Sequence, residues 1–477
     1  MFRKHFIRLM IAIGLVLAHT TSDAQEFPIA AGSDSAVCFG GAFDGTNYLV
    51  SIMGDSLSQN SIAAQRVSPA GSLVGARISV GRSGIFPGPS VAFDGSNYLL
   101  IWMEGNGDVE GQFVSSSGGL VGTPFAIATS ASYERAAYSI AFGDSDYLVV
   151  FAAGVEHKEY LYGQRVSKSG TLIGSKIQIS GNYARENAIA FDGTNYLVTW
   201  VRQLDPRGEN DIYGQFVGKT GTLTGGNFLI VGGPYYRDNP ISLAFDGARY
   251  LVAFHEQEFS VQMWNLFARF ITTAGAIEET IAISGGAQDP ALPVVAFGGD
   301  RYLITWMQQS NFSVMGRIYN PSGIPIASPF VIFGSLDNKV PIGWSIYGDN
   351  AFLAVATRVD TMWVFTDGDV YGSIIEPVTG IEDEGRQLPE KFALFQNYPN
   401  PFNPITTISF TLPERATVSL KVYDLLGREV AALVRDETML QGSYSKQWDA
   451  SGISSGIYFY RIQAGSLSDT RKIVLLR

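Results

Sequence analysis

From about residue 36 to residue 376 the chain is written in short apolar runs separated by Gly, Asp, Asn or Ser, and one pattern keeps returning. An apolar segment ending in an aromatic, as in "NAIAF", leads into "DGTN" and then "YLVTW", whose residues suit a buried strand. The Asp-Gly pair predicts a tight hairpin, because Gly takes positive φ without steric cost. A variable polar stretch follows, then a third strand such as "IYGQRVS", a Ser/Gly turn such as "KSGTL", and a fourth strand such as "IQIS". Four short antiparallel strands in about 50 residues form the unit of a β-propeller blade.

The closing aromatic of the first run falls at Phe43, Phe93, Phe142, Phe191, Phe245, Phe297 and Tyr347, and a second aromatic stands five residues later at Tyr48, Tyr98, Tyr147, Tyr196, Tyr250, Tyr302 and Phe352. Seven copies predict a seven-bladed ring over residues 25–380. A small residue recurs in each third strand, at Ala64, Gly111, Gly163, Gly214, Ala268, Gly316 and Gly372. It is expected where neighbouring blades approach closely. The seventh copy lacks an apolar fourth strand, since "IEDEGRQLPEK" stands in its place, whereas "EFPIAAG" at 26–32 aligns with the fourth strands. The N-terminal strand is therefore expected to close the last blade, with Phe27 and Ile29 matching Ile177 and Ile179. Pro28 between them suits an edge strand.

Composition fits all-β structure: charged residues are 16% and Gly numbers 53, which favours many tight turns over helix bundles. Residues 1–24 read as a signal peptide, with Arg3, Lys4 and Arg8 before the apolar run Leu9 to Ala18 and small residues at Ser22 and Ala24. That run is short for a membrane span, and the mature chain has no apolar run of transmembrane length. Without the leader, 30 Lys and Arg face 43 Asp and Glu, a formal charge of −13, which argues against nucleic acid as a partner. Cys38 is the one cysteine, so no intrachain disulfide can form.

Beyond an acidic linker at 381–387 the repeat stops. Residues 388–477 show about seven strands with Gly, Asn and Pro turns, a small β-sandwich. The motifs "NYPNPFNP" (Asn397 to Pro404), "VYDLLGREV" (Val422 to Val430), "SGIYFYRI" (Ser455 to Ile462) and the terminal "RKIVLLR" closely resemble the C-terminal sorting domain of the type IX secretion system, an immunoglobulin-like export signal of Bacteroidetes-type bacteria. The resemblance implies passage through the periplasm, recognition of the tail by the outer-membrane secretion machinery, and release or attachment at the cell surface. The propeller repeat resembles uncharacterised repeats of secreted bacterial proteins, which transfers no activity.

Signals of chemistry are sparse. The mature chain has His157 and His255 in different units and a single cysteine, so no zinc cluster is expected. No DxDxDG run points to calcium, no cofactor is implied, and no histidine sits in a nucleophile motif. Asp108, Asp211, Asp367 and Asp369 read as caps of the turn entering the third strand. Glu104, Glu156, Glu159, Asp205, Glu209, Glu256 and Glu258 are scattered over the variable stretches as a solvated rim would be. One constellation stands out: "SYERAA", "NYAREN" and "YYRDNP" put Tyr133 with Arg135, Tyr183 with Arg185, and Tyr236 with Arg237 before three successive first strands. Arg can hold a carboxylate and Tyr can stack on a sugar. Pairing of these arginines with Glu134, Glu186 and Asp238 of neighbouring connections is the favoured alternative, because surface ion pairs are common. Two functions follow: a non-enzymatic secreted propeller that binds a polymer or protein on its loop face, or a polysaccharide lyase or hydrolase with its site at the channel mouth. The absence of a catalytic signature favours binding.

Overall fold

The structure, a computed structural model, describes residues 26–31, 36–54, 61–82, 88–129, 138–155, 158–181, 184–203, 210–233, 241–257, 264–284, 290–334, 340–361, 364–376, 392–394, 397, 402, 404–413, 416–439 and 442–475. Residues 1–24, read above as a signal peptide, and 381–387, read as a linker, lie outside them. The chain divides into two compact units, Met1–Pro377 and Val378–Arg477.

The first unit is a propeller of seven four-stranded antiparallel sheets. The first strands touch one another in order around the ring, and the first strand of blade 1 (Val37–Phe43) meets that of blade 7 (Val340–Gly348). Each blade therefore points its first strand inward. The hairpin turn is fixed locally: in "FDGTN" the Asp44 Oδ1 accepts the amides of Thr46 and Asn47, both at 2.7 Å, while Gly45 takes φ +93°. Asp94, Asp192 and Asp246 repeat the arrangement.

The tyrosine that opens the second strand joins the blades. Tyr48, Tyr98, Tyr147, Tyr196, Tyr250 and Tyr302 are buried, and each donates its hydroxyl to the first hairpin of the preceding blade: to Gly348 O, Asn47 O, Asn97 O, Asp146 O, Asn195 O and Asp246 Oδ2, at 2.6–3.2 Å. Six of seven junctions carry this bond. At the seventh the ring residue is Phe352, which has no hydroxyl. The quoted motif thus sets a turn and, one blade away, fastens it.

The small third-strand residues serve a different contact from the one expected. A Cβ at Gly214 would lie 2.8 Å from Phe228 Cζ and 3.0 Å from Ile230 Cδ1, both on the fourth strand of the same blade (Leu223–Val231). Gly111 meets Phe125 and Ile127 likewise, and Gly316 meets Phe330 and Ile332. These positions are small so that two large side chains of the blade's own outer strand can lie across them. Gly214→Val is expected to destabilise the protein by about 1–3 kcal/mol through overpacking. Thermal melting checks this, and an unchanged melting temperature would mean that the outer strand yields freely.

Ring closure follows the same rule. The strand Glu26–Ala30 pairs antiparallel with the third strand of blade 7, Val364–Ile375, with Phe27 opposite Gly372 and Pro28 opposite Tyr371. Phe27 and Ile29 lie over Gly372 as Phe125 and Ile127 lie over Gly111. Glu26 Oε2 reaches Arg358 Nη2 at 2.6 Å, and that arginine is 3% exposed beneath it. Cys38 N donates to Thr357 Oγ1 at 2.8 Å, tying blade 1 to blade 7. Pro28 sits on the outer edge, where its missing N–H goes unneeded.

The second unit is a β-sandwich of a three-stranded sheet (Ala393–Leu394, Ile405–Leu412, Gly442–Asp449) and a four-stranded sheet ordered Glu429–Met439, Ala416–Tyr423, Gly456–Ala464, Leu467–Leu475. Its core gathers Leu394, Phe402, Ile408, Phe410, Val418, Leu420, Trp448, Tyr460 and Ile473 among others. "NYPNPFNP" contributes twice: Asn397 N donates to the Tyr460 hydroxyl oxygen at 2.8 Å, and the Phe402 ring lies 5.4 Å from Trp448. Among the described residues no helix is long and apolar enough to cross a membrane.

Candidate functional site

Antiparallel order brings the connections from second to third strand, and from fourth strand to the next blade, to one end of every blade. Five of the six residues expected to bind there, Tyr133, Arg135, Tyr183, Tyr236 and Arg237, lie outside the described residues. Arg185 is placed by its backbone alone: it pairs with Val201 in the first hairpin of blade 4, next to a bulge at Glu186, whose φ is +32°. Of the six, the described residues therefore place Arg185 alone.

At the same end of blade 4 the structure shows a group that the sequence reading passed over. Ala184, beside Arg185, pairs with Arg202. Arg202 is exposed, and its guanidinium lies 5.4 Å from the centre of the half-buried Tyr213 ring. Tyr213 in turn stacks on buried Trp200, with centroids 6.2 Å apart and planes 21° apart. Blade 3 carries a related pair, Lys176 4.3 Å over Tyr162, which stacks on Phe151. Both tyrosines immediately precede a third-strand glycine, Gly163 or Gly214, and that position was the only available signal. An aromatic ring with a cation over its face suits an acidic or sugar-bearing ligand.

The chemistry available elsewhere is structural. His255 is buried, accepts Leu292 N at its Nδ1 at 3.4 Å, and packs 4.4 Å from the Trp264 ring. His157 lies outside the described residues. Burial pushes the Cys38 thiol up to about 12, so it is not a nucleophile at neutral pH. Asp108, expected to cap its turn, is instead braced by Asn106, whose Oδ1 accepts the Asp108 amide at 3.0 Å and whose Nδ2 donates to Asp108 Oδ2 at 2.8 Å. Nearby, burial first and the charges of Glu104 and Asp108 second raise the pKa of Glu110. Among the described residues no three His, Cys, Asp or Glu side chains are placed to hold a metal ion.

Residues 396–476 match the family described as the secretion system C-terminal sorting domain. The tail is a type IX sorting domain. The chain is therefore exported, for secretion or for attachment at the cell surface. No protein with a curated description matches the sequence. Among solved structures, an ulvanlyase of a polysaccharide lyase family superposes with a TM-score of 0.51 at 12% identity, over 73% of this chain and 94% of that one. The β-propeller domain of the Trilobed protease from Pyrococcus furiosus gives 0.45 at 11% identity, over 71% and 95%. At such identity the first likeness establishes the propeller fold and nothing finer.

Proposed function

We propose that the exported propeller is a binding protein, without catalysis, that holds an acidic polymer or an acidic protein surface on its loop face. The observation that carries this reading is a division of labour within the repeat. The features that recur, the Asp-Gly turn in four units, the joining tyrosine in six and the small third-strand residue in all seven, are absorbed by the fold. The units differ at the opposite end, where Arg202 lies exposed over Tyr213 and Arg185 enters the same hairpin. Tyr133, Arg135, Tyr183, Tyr236 and Arg237 would extend that surface over blades 3 to 5.

A glycan array of neutral and acidic polysaccharides, probed with the purified protein, tests the proposal. An acidic ligand is expected to lose at least about tenfold in affinity when Arg135, Arg185, Arg202 and Arg237 are replaced together by Ala, roughly 1.4 kcal/mol or more. Unchanged affinity with an unchanged melting temperature would assign these arginines to surface ion pairs. Shortening of the bound polymer would replace the binding role with a lyase or hydrolase activity.

A further inference from the structure

The most exposed large hydrophobic side chains among the described residues are neighbours: Leu425 at 67% and Leu426 at 78%, in the turn "YDLLGRE" of the sorting domain. This turn is braced. Asp424 Oδ1 accepts the amides of Leu426 and Arg428, both at 2.9 Å, Asp424 Oδ2 holds Arg428 Nε at 2.7 Å, and Gly427 supplies φ +78°. Two leucines are thus fixed in water on a stiff loop, the opposite of what stability alone would select.

The surface next to them continues the character. The turn follows Tyr423, which pairs with Phe459 across the sheet, and Ile457 two residues away pairs with Val474. In the strand Gly456–Ala464 burial alternates, so Tyr458, Tyr460 and Ile462 face the core while Ile457, Phe459 and Arg461 face outward. Lys421 stands opposite Arg461, and Lys472 opposite Phe459, on that outward face. One end of the outer sheet therefore presents an apolar strip with two projecting leucines and a border of three basic side chains. Two carboxylates lie at this end, Glu429 bound to Lys421 at 2.9 Å and Asp424 bound to Arg428 at 2.7 Å.

We infer that this end of the sheet is where the tail is gripped, with Leu425 and Leu426 entering an apolar pocket of a secretion-machinery protein whose rim carries carboxylates facing Lys421, Arg461 and Lys472. The inference rests on the tail acting as the export address. Rigid apolar side chains in a partner's pocket with polar groups around them are the usual anatomy of a binding hot spot. The basic border selects an acidic rim by charge complementarity. A contact of this kind loads the tail before release, so its leucines stand exposed in the free protein.

The test uses the full chain in a type IX secreting host and reads the extracellular fraction. Leu425→Ser with Leu426→Ser is expected to lower that fraction at least about tenfold without moving the melting temperature. Leu425→Met with Leu426→Met, which keeps the apolar bulk, should export at the parental level. Leu467→Ser, an exposed leucine at the other end of the same sheet, should do so too. If the double Ser variant is exported normally while deletion of residues 388–477 traps the protein in the periplasm, the tail is the address but this turn is not its contact. Normal export of the deletion would overturn the export reading and the inference together. Equal loss with Leu467→Ser, or loss of self-association or of anionic-vesicle binding by the double Ser variant with export intact, would also overturn it.

Discussion

A chain that begins at Asp34 is expected to melt far below the full-length protein or to aggregate at blade 7. Three losses coincide at that blade. Ile29 is 4% exposed and Phe27 half-buried, and burying such side chains contributes roughly 1.5–3 kcal/mol each, with Phe27 toward the lower end. The backbone pairing from Glu26 to Ala30 disappears, leaving the strand Val364–Ile375 as an open edge prone to intermolecular pairing. Arg358, 3% exposed, also loses Glu26, and removing one partner of a buried pair costs up to about 3–5 kcal/mol. Because the Glu26 side chain is 28% exposed, only part of that range applies. The combined effect is a large share of a typical stability of about 5–15 kcal/mol. Calorimetry decides the matter: a truncated protein that melts within about two degrees of the parent would show that the ring is held closed by other contacts.

Alkali is expected to unfold the propeller in one steep step. Burial is the main cause raising the phenol pKa of Tyr48, Tyr98, Tyr147, Tyr196, Tyr250 and Tyr302, and aspartates of the preceding blade raise it further, Asp44 acting on Tyr98 and Asp192 on Tyr250. Arg66 and Arg165 oppose the shift at Tyr98 and Tyr196 without reversing it. In the unfolded chain these phenols ionise near the ordinary value of about 10. The folded state thus holds their protons where the unfolded state has released them. Their stabilising contribution is complete below about pH 10 and falls as pH rises toward the folded-state values, by about 1.4 kcal/mol per pH unit for each tyrosine. Tyrosinate absorbance and circular dichroism followed together provide the check. The six should ionise only as the β signal collapses, and ionisation of all the protein's tyrosines at ordinary pH with the β signal intact would refute the expectation.

The sequence by itself determined the features that the period of about 50 residues repeats: the blade count, the strand order within a blade, the Asp-Gly turn, and the displaced N-terminal strand that completes blade 7. Its tail motifs determined the sorting domain. These were legible because local turn chemistry and strand alternation act over a few residues, and seven copies confirm one another. The tertiary structure alone decided which partner each repeated residue has. The tyrosines bond across the junction, five of them about 50 residues back along the chain and Tyr48 to Gly348 at the ring's closure, while the third-strand glycines, expected between blades, lie under the outer strand of their own. Both assignments depend on which face of a twisted sheet a side chain takes and how near the next sheet comes, which strand spacing does not encode. Glu26 meets Arg358 across 332 positions because the ring brings the two ends of the propeller into one sheet. The candidate face was least legible of all, since Arg202 and Tyr213 stand where the copies differ, and only their diagonal approach across two strands of blade 4, with Arg202 opposite Asp211 and Tyr213 opposite Trp200, brings them together.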